Sequence, residues 1–463
     1  MLNNSQTALT STIAAIATPM GRGGVGVIRL SGPNSYQIAL ALTGRQAFKP
    51  RFAHFCRFYD RDDTVIDEGL VLYFPAPHSF TGEDVIELQG HGGMILQQQL
   101  LTRVFELGAN QAVAGEFSAR AFDNDKLDLV QAEAIADAID ATSVAAAKSA
   151  MRSLTGEFSQ KINALLEQLI QLRLYVEAAI DFPDEEGVDF LADEHIAKQL
   201  RQVCEQLNNV LATAKQGQLL RDGVSVVIAG RPNAGKSSLL NRLAGQERAI
   251  VTDIAGTTRD ILQETIVLNG LTLNLTDTAG LRQTDDIVEQ AGIERARQAI
   301  TQADLLLMVY DAHREHEPLR LATELFGSLP NANSILMIAN KIDLSDNHQN
   351  LPKQFSSQEQ IYHPVYVSCK YGTGLEELVN QICDKVGFHP PENSLIARTR
   401  HLDALRRTQM ALQEADEQLH LFHAGELVAE SLRQAQISLN EITGEFTADD
   451  LLGKIFGSFC IGK

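Results

Sequence analysis

The stretch Gly230-Arg231-Pro232-Asn233-Ala234-Gly235-Lys236-Ser237 decides the fold of the central part of this chain. It matches the pattern G-x-x-x-x-G-K-[ST], follows the apolar run 224–229 and precedes a helical pattern over 238–243. A strand, a glycine loop and a helix in that order surround phosphate oxygens with backbone N–H groups and a helix N-terminus. We expect Lys236 to reach the β- and γ-phosphates and Ser237 to ligate Mg²⁺. The stretch therefore predicts a nucleoside triphosphate site.

A β-hairpin is predicted after this phosphate loop. Residues 265–268 and 271–275 flank Asn269-Gly270, a pair that favours a type I′ turn because both positions need φ > 0. The second strand leads into Asp277-Thr278-Ala279-Gly280. We expect Asp277 to hold Mg²⁺ through water and the N–H of Gly280 to face the γ-phosphate. A hairpin followed by this motif is typical of a Ras-like GTPase.

The base is predicted from a motif that follows the apolar runs 305–309 and 335–339, namely Asn340-Lys341-Ile342-Asp343. A carboxylate at Asp343 accepts hydrogen bonds from N1–H and N2–H₂ of guanine, an edge that adenine lacks, so ATP would leave it unpaired at a cost. Ser368-Cys369-Lys370 matches the supporting S-A-K motif, with Cys in place of Ala. Four motifs in the right order predict that the chain binds GTP.

Hydrolysis needs groups that the motifs above do not supply. The segment 252–260 contains Thr258 at the position of the threonine that senses Mg²⁺ and the γ-phosphate. Leu281 follows Gly280, where Ras-like enzymes use a glutamine to orient the attacking water. Glu289 is near enough in sequence to replace it, although from sequence alone an ordinary exposed acid is the simpler interpretation. Asn233 is placed to bring a monovalent cation to the site where an arginine finger would act.

The predicted GTP-binding residues come from five segments of the chain. They are Asn233, Ala234, Gly235, Lys236, Ser237, Ser238, Thr252, Asp253, Ile254, Ala255, Gly256, Thr257, Thr258, Asp277, Thr278, Ala279, Gly280, Asn340, Lys341, Asp343, Ser368, Cys369 and Lys370.

The chain on either side of this domain shows two other patterns. Residues 1–124 are mixed α/β, with strands predicted at 12–17, 25–30, 65–74 and 84–88 and a helix at 94–107. Residues 125–219 and 388–463 are helical, so the G domain, 220–387, is predicted to interrupt one discontinuous helical domain. The stripes that indicate helices packed in a bundle are Ala132, Ile135, Ile139; Ile162, Leu165, Leu169, Leu172, Val176; and Val428, Leu432, Ala435, Leu439, Ile442.

Two short patterns outside the G domain suggest sites but have simpler interpretations. Gly21, Gly23 and Gly26 fit G-x-G-x-x-G, but strand-like residues follow where a dinucleotide site needs a helix. The carboxylates of Asp181 to Glu186 are either a metal site or, more simply, a solvated turn.

Composition restricts the partners and the compartment. The net charge of −20 argues against a broad nucleic-acid surface, so any RNA contact is expected to be local or shared with a partner. Five scattered cysteines without a C-x-x-C pair predict a reduced, cytoplasmic protein without a structural zinc site. Because no apolar run approaches about 18 residues, no membrane-spanning helix is predicted.

The sequence as a whole resembles the MnmE (TrmE) family of GTPases, which modify the wobble uridine of tRNA. The resemblance covers essentially the whole chain. Besides the GTPase motifs it rests on residues 21–26 (GRGGVG), 80–84 (FTGED), 90–93 (GHGG), 121–129 (AFDNDKLDL), 180–186 (IDFPDEE) and 459–463 (FCIGK).

The resemblance implies several ligands and their residues. The N-terminal domain would bind a tetrahydrofolate, through Arg29, Glu87, Lys126 and the terminal Lys463, and would drive dimerisation. Mg²⁺ would be held by Ser237 and Thr258. Glu289 would be the catalytic glutamate. The implied K⁺ ligands, which would let K⁺ replace the arginine finger in a G-domain dimer, are Asn233, Thr252, Ile254 and Thr257.

The implied activity is that of a homodimeric, K⁺-dependent GTPase. It would form a heterotetramer with a flavoprotein of the MnmG (GidA) type, which alone would carry FAD. Together they would add an aminomethyl or carboxymethylaminomethyl group to C5 of U34 in certain tRNAs. The one-carbon unit would come from 5,10-methylenetetrahydrofolate, for which 5-formyltetrahydrofolate is an analogue, and GTP hydrolysis would drive a conformational change.

Three points stay open in the sequence. Cys460 is either a nucleophile toward uridine C6 or a small buried thiol. An Era-like ribosome-assembly GTPase is one rival function, but it needs a basic module. The nearest cluster, Arg398, Arg400, Arg406 and Arg407, is interpreted as a solvated face. A stand-alone folate-dependent aminomethyl transferase, regulated by GTP, is the other rival.

Overall fold

A computed structural model of the 463-residue chain provides the coordinates. It describes residues 11–19, 21–181, 194–245, 263–277, 299–344, 351–357, 359–390, 394–422, 424–444, 449–457, 459–460 and 462. Within these ranges no helix is long and apolar enough to cross a membrane.

The N-terminal part contains a six-stranded sheet with helices on both faces. The strands are β1 Ile13–Ile16, β2 Gly26–Ser31, β3 His54–Tyr59, β4 Val65–Phe74, β5 Val85–Gly90 and β6 Asn110–Gln111, in the order β3-β4-β5-β2-β1-β6. The helices are α1 Ser35–Thr43, α2 Met94–Glu106 and α3 Glu116–Asp123. The predictions for β1, β2, β4, β5 and α2 are confirmed. The elements β3, α1 and α3 were not predicted.

The two faces of this sheet have separate cores. One core, which includes Leu42, Phe58, Leu88 and Val104, packs α1 and α2 against the sheet. On the other face, Phe117 of α3 packs against β1. Because side chains alternate along a strand, β2 and β5 direct apolar side chains into the first core, whereas Arg29 and Glu87 lie on the second face.

Long helices follow on both sides of the G domain. They are α4 Leu129–Ile139, α5 Val144–Leu154, α6 Glu157–Asp181, α7 Glu194–Asp222, α11 Thr399–Glu417, α12 Gly425–Thr443 and α13 Asp449–Gly457. The predicted stripes of α6 and α12 are buried, as expected. The stripe predicted for α4 is partly wrong, because Ile139 is 52% exposed. Instead, two polar side chains of α4, Glu133 and Asp137, are buried.

The G domain contains a second six-stranded sheet. Its strands are β7 Val224–Ala229, β8 Gln263–Leu268, β9 Leu271–Asp277, β10 Leu305–Asp311, β11 Ile335–Asn340 and β14 Pro364–Tyr366, in the order β14-β11-β10-β7-β9-β8. A small hairpin is formed by β12 Phe355–Ser357 and β13 Gln360–Tyr362, and the helices are α8 Lys236–Ala244, α9 Pro318–Phe326 and α10 Leu375–Val386. All neighbours in the main sheet are parallel except β8 and β9.

The predicted hairpin turn has the expected backbone. Asn269 and Gly270 have φ of 51° and 86°, so both are left-handed, as a type I′ turn requires. Because β7, β9, β10, β11 and β14 are parallel, their carboxyl ends meet at one edge of the sheet, where ligands bind in folds of this kind.

The chain divides into two compact units. The first comprises Met1–Ala136, Leu154–Ile170 and Leu432–Lys463, and the second comprises Asp137–Ser153 and Gln171–Ser431. The G domain therefore shares its unit with parts of the flanking helices. The boundaries at 124, 219 and 387 remain predictions.

Candidate nucleotide and cofactor sites

The phosphate loop joins β7 to α8 at the carboxyl edge of the sheet. Asn233 and Gly235 have φ of 63° and 99°, so the loop turns twice through left-handed backbone. Lys236 folds back over the loop, and its Nζ donates to the carbonyl oxygens of Gly230 (2.8 Å) and Arg231 (3.4 Å). The lysine therefore spans the concavity that its phosphate ligand would fill.

The N-terminus of α8 is open toward this loop. Its N-cap residue is Gly235, and among the described residues no side chain caps the first turn. The first N–H groups of a helix have no partner within it, so here they are left for an anion. Ser237 and Ser238 in the first turn are exposed. These residues fit the phosphate groups of a nucleotide.

Asn340 connects the phosphate loop to the base-recognition loops. It is 2% exposed, and its Nδ2 donates to the carbonyl oxygen of Ala234 at 3.0 Å. Its Oδ1 accepts from the N–H groups of Lys341 (2.8 Å) and Cys369 (3.2 Å). A side chain or Cβ at position 235 would collide with Asn340, so this contact also requires Gly235. The predicted loop residues are thus brought together by one buried amide.

Asp343 is positioned by the hydroxyl of Ser368. The Ser368 Oγ donates to the Asp343 Oδ1 at 2.6 Å and accepts from the N–H of Tyr371 at 3.3 Å. Lys341 is held by Asp311, with 2.9 Å between Nζ and Oδ2. Burial opposes ionisation of Asp311, but the hydrogen bond and positive charge from Lys341, with the N–H of His313 and the charge of Arg314, together outweigh it and lower the pKa of that carboxyl. A guanine edge fits beside a carboxylate oriented in this way.

Several predicted residues of the nucleotide site lie outside the described residues. Asp277 ends β9, which pairs with β7, but its side chain is not among those described. The others are Thr252, Asp253, Ile254, Ala255, Gly256, Thr257, Thr258, Thr278, Ala279, Gly280, Leu281 and Glu289. In the acidic segment Asp181 to Glu186, the structure describes only the backbone of Asp181.

A buried ion cluster holds the two chain connections of the G domain. Asp137 of α4 has a side chain that is only 4% exposed. It accepts from the Nε of Arg221 (2.8 Å), at the end of α7, and from the Nη2 of Arg398 (2.7 Å), just before α11. Burial opposes the charge of Arg221, but Asp137 and Asp222 outweigh it and raise the pKa of Arg221. The interpretation of Arg398 as part of a solvated face is wrong, because its side chain is 14% exposed and bound to Asp137.

The predicted folate residues Arg29 and Glu87 are in direct contact. They are opposite each other on β2 and β5, and the Nη2 of Arg29 is 2.9 Å from the Oε1 of Glu87. The Arg29 guanidinium also lies over the rings of Phe80 and Phe117, at 5.7 and 5.9 Å. Both charged side chains are partly exposed, at 25% and 18%. A partly buried carboxylate, paired with a guanidinium that lies over aromatic rings, suits the polar edge and flat ring of a pterin.

Lys126 lies close to the loop that contains Phe80. Its side chain packs near Gly82, and the Nδ2 of Asn124 donates to the Thr81 carbonyl oxygen at 2.8 Å. Lys126 itself is exposed, as a residue that meets an anionic tail would be. The loop 80–82 therefore connects Arg29 on one side with Lys126 on the other.

A buried network that the sequence did not reveal supports this loop. Ser31 and Thr81 are fully buried and are hydrogen bonded to each other at 2.6 Å, and Ser31 also donates to Glu83. Arg120 of α3, whose side chain is 3% exposed, donates to Glu83 at 3.1 Å and to Glu116 at 2.9 Å. Thr81 and Glu83 belong to the motif 80–84, but Ser31, Glu116 and Arg120 belong to none of the motifs, so only the fold could identify the network.

The last residues of the chain pack against the N-terminal sheet. The N–H of Gly115 donates to the Cys460 carbonyl oxygen at 3.4 Å. A side chain at Gly462, which has φ of 97°, would collide with the Ile16 carbonyl of β1. Lys463 lies outside the described residues. Cys460 is exposed, which contradicts the alternative of a small buried thiol.

Family models and curated relatives match nearly the whole chain. A family model described as the MnmE helical domain matches residues 129–460, and one described as the GTP-binding protein TrmE N-terminus matches residues 12–126. A protein of Psychrobacter arcticus named tRNA modification GTPase MnmE is 73% identical, over 100% of this chain and 98% of the relative. A protein of the same name from Psychrobacter cryohalolentis is 75% identical, over 98% of this chain and 96% of the relative. The structure of the G domain of the T. maritima FeoB iron transporter is 27% identical and covers 35% of this chain and 98% of that chain, with a TM-score of 0.25.

Proposed function

The chain belongs to the MnmE family of tRNA modification GTPases, and from this membership we propose that it hydrolyses GTP to drive modification of U34 in tRNA. One observation carries the proposal. The buried amide of Asn340 joins the phosphate loop to the loop of Ser368, which in turn orients Asp343. A site that couples phosphate binding to a guanine-specific carboxylate serves GTP rather than ATP.

We propose that two ions assist hydrolysis. Mg²⁺ would be held by Ser237 and Thr258, and K⁺ by Asn233, Thr252, Ile254 and Thr257. Of these, Asn233 supports the proposal by its exposed position and left-handed backbone at the rim of the phosphate loop. K⁺ would supply positive charge where an arginine finger acts in other GTPases. Glu289 would orient the attacking water, because Leu281 has no polar group.

We propose that Arg29, Glu87, Lys126 and Lys463 bind 5,10-methylenetetrahydrofolate. The cofactor would supply the one-carbon unit that is added at C5 of the uridine. The cross-strand contact of Arg29 with Glu87 and the nearby phenyl rings support this assignment. The packing of Gly462 beside β1 also supports it, since β1 is the neighbour of the strand that carries Arg29. Cys460, which is exposed and whose carbonyl accepts from the N–H of Gly115 just before α3, would act on the substrate as a nucleophile.

We propose a homodimer that works with an MnmG/GidA-type flavoprotein in a heterotetramer, with FAD bound only by the flavoprotein. Because the chain has a net charge of −20, we expect it to bind tRNA together with the flavoprotein rather than alone. A protein that acts on tRNA in this way would work in the cytoplasm. GTP hydrolysis would change the conformation of the complex and would not donate phosphate to the product.

Deletion of the gene tests this function. Mass spectrometry of tRNA from the deletion strain should show U34 without its C5 substituent, and the wild-type gene should restore the substituent. A Lys236→Ala variant should not restore it, because the phosphate loop loses its cation. Normal U34 together with immature ribosomal RNA would overturn the proposal in favour of the ribosome-assembly rival. Substituted U34 in the Lys236→Ala strain would instead favour a transferase that GTP merely regulates.

A further inference from the structure

Arg242 contacts the guanine loop from behind. It lies in the last turn of α8, the helix that begins at the phosphate loop. Its Nε donates to the carbonyl oxygen of Cys369 at 2.9 Å, and its Nη2 donates to that of Lys370 at 2.8 Å. A planar guanidinium presents its donors in a fixed fork, so two adjacent carbonyl groups are fixed together.

Because the peptide group is planar, these hydrogen bonds from Arg242 also orient the N–H groups on the opposite side of the loop. In a trans peptide, the C=O of one residue and the N–H of the next point in opposite directions. When Arg242 holds the Cys369 and Lys370 carbonyls, the N–H groups of Lys370 and Tyr371 must point away from it. The N–H of Tyr371 does so, because it donates to the Ser368 hydroxyl that is bonded to Asp343.

The N–H of Lys370 therefore faces the same side of the loop as Asp343. Among the hydrogen bonds of the described residues it donates to no acceptor. By contrast, the N–H of Cys369 is already used by Asn340, at 3.2 Å. A donor on the side of the guanine-recognising carboxylate is placed for O6 of the base, the atom that adenine replaces with an amino group.

We propose that Arg242 is a positioning residue for guanine specificity, which holds the N–H of Lys370 toward O6 of the bound nucleotide. This inference rests on the proposed GTPase function. It goes beyond the sequence motifs, because Arg242 lies outside all of them and bonds to backbone carbonyl groups of one, Ser368-Cys369-Lys370.

The test compares nucleotides that differ at single positions of the base. GDP, 6-thio-GDP and IDP are titrated against the full-length wild type and the Arg242→Ala variant. Sulfur is a weak acceptor, so 6-thio-GDP reports on the contact at O6. IDP lacks only the 2-amino group and reports on Asp343. We expect the preference of the wild type for GDP over 6-thio-GDP to fall about tenfold in the variant, the worth of roughly one hydrogen bond. Its preference for GDP over IDP should stay within about twofold.

Kinetics and a graded variant separate positioning from a general loss of structure. The KM for GTP should rise in Arg242→Ala while kcat changes little, because the loop binds the base and not the reacting phosphate. Arg242→Lys keeps one charged donor and should recover part of the discrimination at O6. Arg320→Ala is the matched control, since Arg320 lies on α9 with its side chain 74% exposed and pairs with the nearby Glu317 and Glu324.

The outcomes distinguish this inference from the proposed function. If the wild type neither binds GDP nor hydrolyses GTP, the proposed function fails. If the wild type is a GTPase but both Arg242 variants keep the wild-type ratio of GDP to 6-thio-GDP, only the role of Arg242 is refuted. An equal fall in both preferences would also refute it, because it would show that the whole loop, Asp343 included, had been displaced.

Discussion

Replacing Asp137 by Asn should loosen the junction between the G domain and its helices. The substitution keeps the shape of the side chain but removes the charge that faces Arg221 and Arg398. Asp137 is 4% exposed at its side chain, whereas the two arginines are 33% and 14% exposed. Removing one partner of a fully buried ion pair costs about 3–5 kcal/mol. Because the arginines retain some access to water, we expect about 2–4 kcal/mol here.

Hydrogen exchange is the suitable assay, since a chain of two compact units does not unfold in one cooperative step. Exchange of backbone amides in α4, at the end of α7 and at the start of α11 reports local opening at the cluster. A loss of about 2–4 kcal/mol corresponds to exchange roughly 30- to 700-fold faster. Asp403→Asn is the control, because the pair of Asp403 and Arg406 is more than half exposed and should contribute little.

The same variant should leave the affinity for GDP nearly unchanged. Along the chain, the ion cluster lies before the first residue of β7, and the phosphate loop lies after the last residue of β7. The strand is about 20 Å long, so the two sites are separated by that distance. The level of U34 modification should fall more than the rate of GTP hydrolysis, because the ion cluster holds the connections of the G domain and does not take part in the hydrolytic reaction. Wild-type exchange rates in Asp137→Asn would refute the reasoning, as would a loss of GDP affinity as large as the loss of protection.

Three other predictions concern the hydrolytic residues and a titrating pair. Glu289→Ala should abolish GTP hydrolysis but keep GTP binding, because Leu281 cannot position water; unchanged single-turnover rates would remove Glu289 from the mechanism. Replacing K⁺ by Na⁺ should slow hydrolysis sharply, whereas equal rates in the two salts would contradict a role for Asn233 in cation binding. The Nδ1 of His91 lies 2.6 Å from the Oδ1 of Asp67, and this hydrogen bond and charge raise the pKa of His91. Burial opposes ionisation of Asp67, but its bonds from His91 lower the pKa of that carboxyl. Charged His91 should therefore stabilise the fold fully below about pH 6.5, and this stabilisation should be lost as the pH rises through the folded-state pKa of His91. The stabilisation that comes from ionised Asp67 should be lost as the pH falls through the lowered folded-state pKa of Asp67. NMR titration of the full chain should show this shift in wild type and not in Asp67→Asn; identical curves would contradict it.

The sequence predicted correctly those turns and strands whose backbone conformation depends on a few neighbouring residues. Asn269-Gly270 adopts the predicted left-handed turn, and β4 spans the predicted residues 65–74, because turn residues and runs of apolar side chains act over a few positions. The phosphate loop was predicted for the same reason. Each of its special backbone positions is occupied by a residue that tolerates it.

Contacts between distant parts of the chain could not be read from the sequence in this way. Asp137 and Arg398 are 261 residues apart, and Arg242 and Cys369 are 127 apart. The stripe predicted on α4 was also partly wrong. Ala132 is buried but Ile139 is exposed, and the Asp137 carboxylate, which an apolar pattern treats as exposed, is buried because arginines pair with it. Buried charges are stable only with partners, and those partners come from the tertiary fold.

The paired connections of the G domain support the proposal that it drives a conformational change. The first connection is α7 itself, and close contacts hold the second connection, which leaves the G domain, against α7. A side chain at Gly217 would collide with the Leu395 carbonyl, and the Gln216 side chain bonds to the Gly387 carbonyl and the His389 N–H. Asp137 binds the end of α7 and the start of the returning chain through a single carboxylate. A domain that is attached at one place by both of its connections turns there as a rigid body, since bending either connection would break contacts with the other. We therefore expect GTP-dependent movement of the G domain to reach α7 and α11 through this junction.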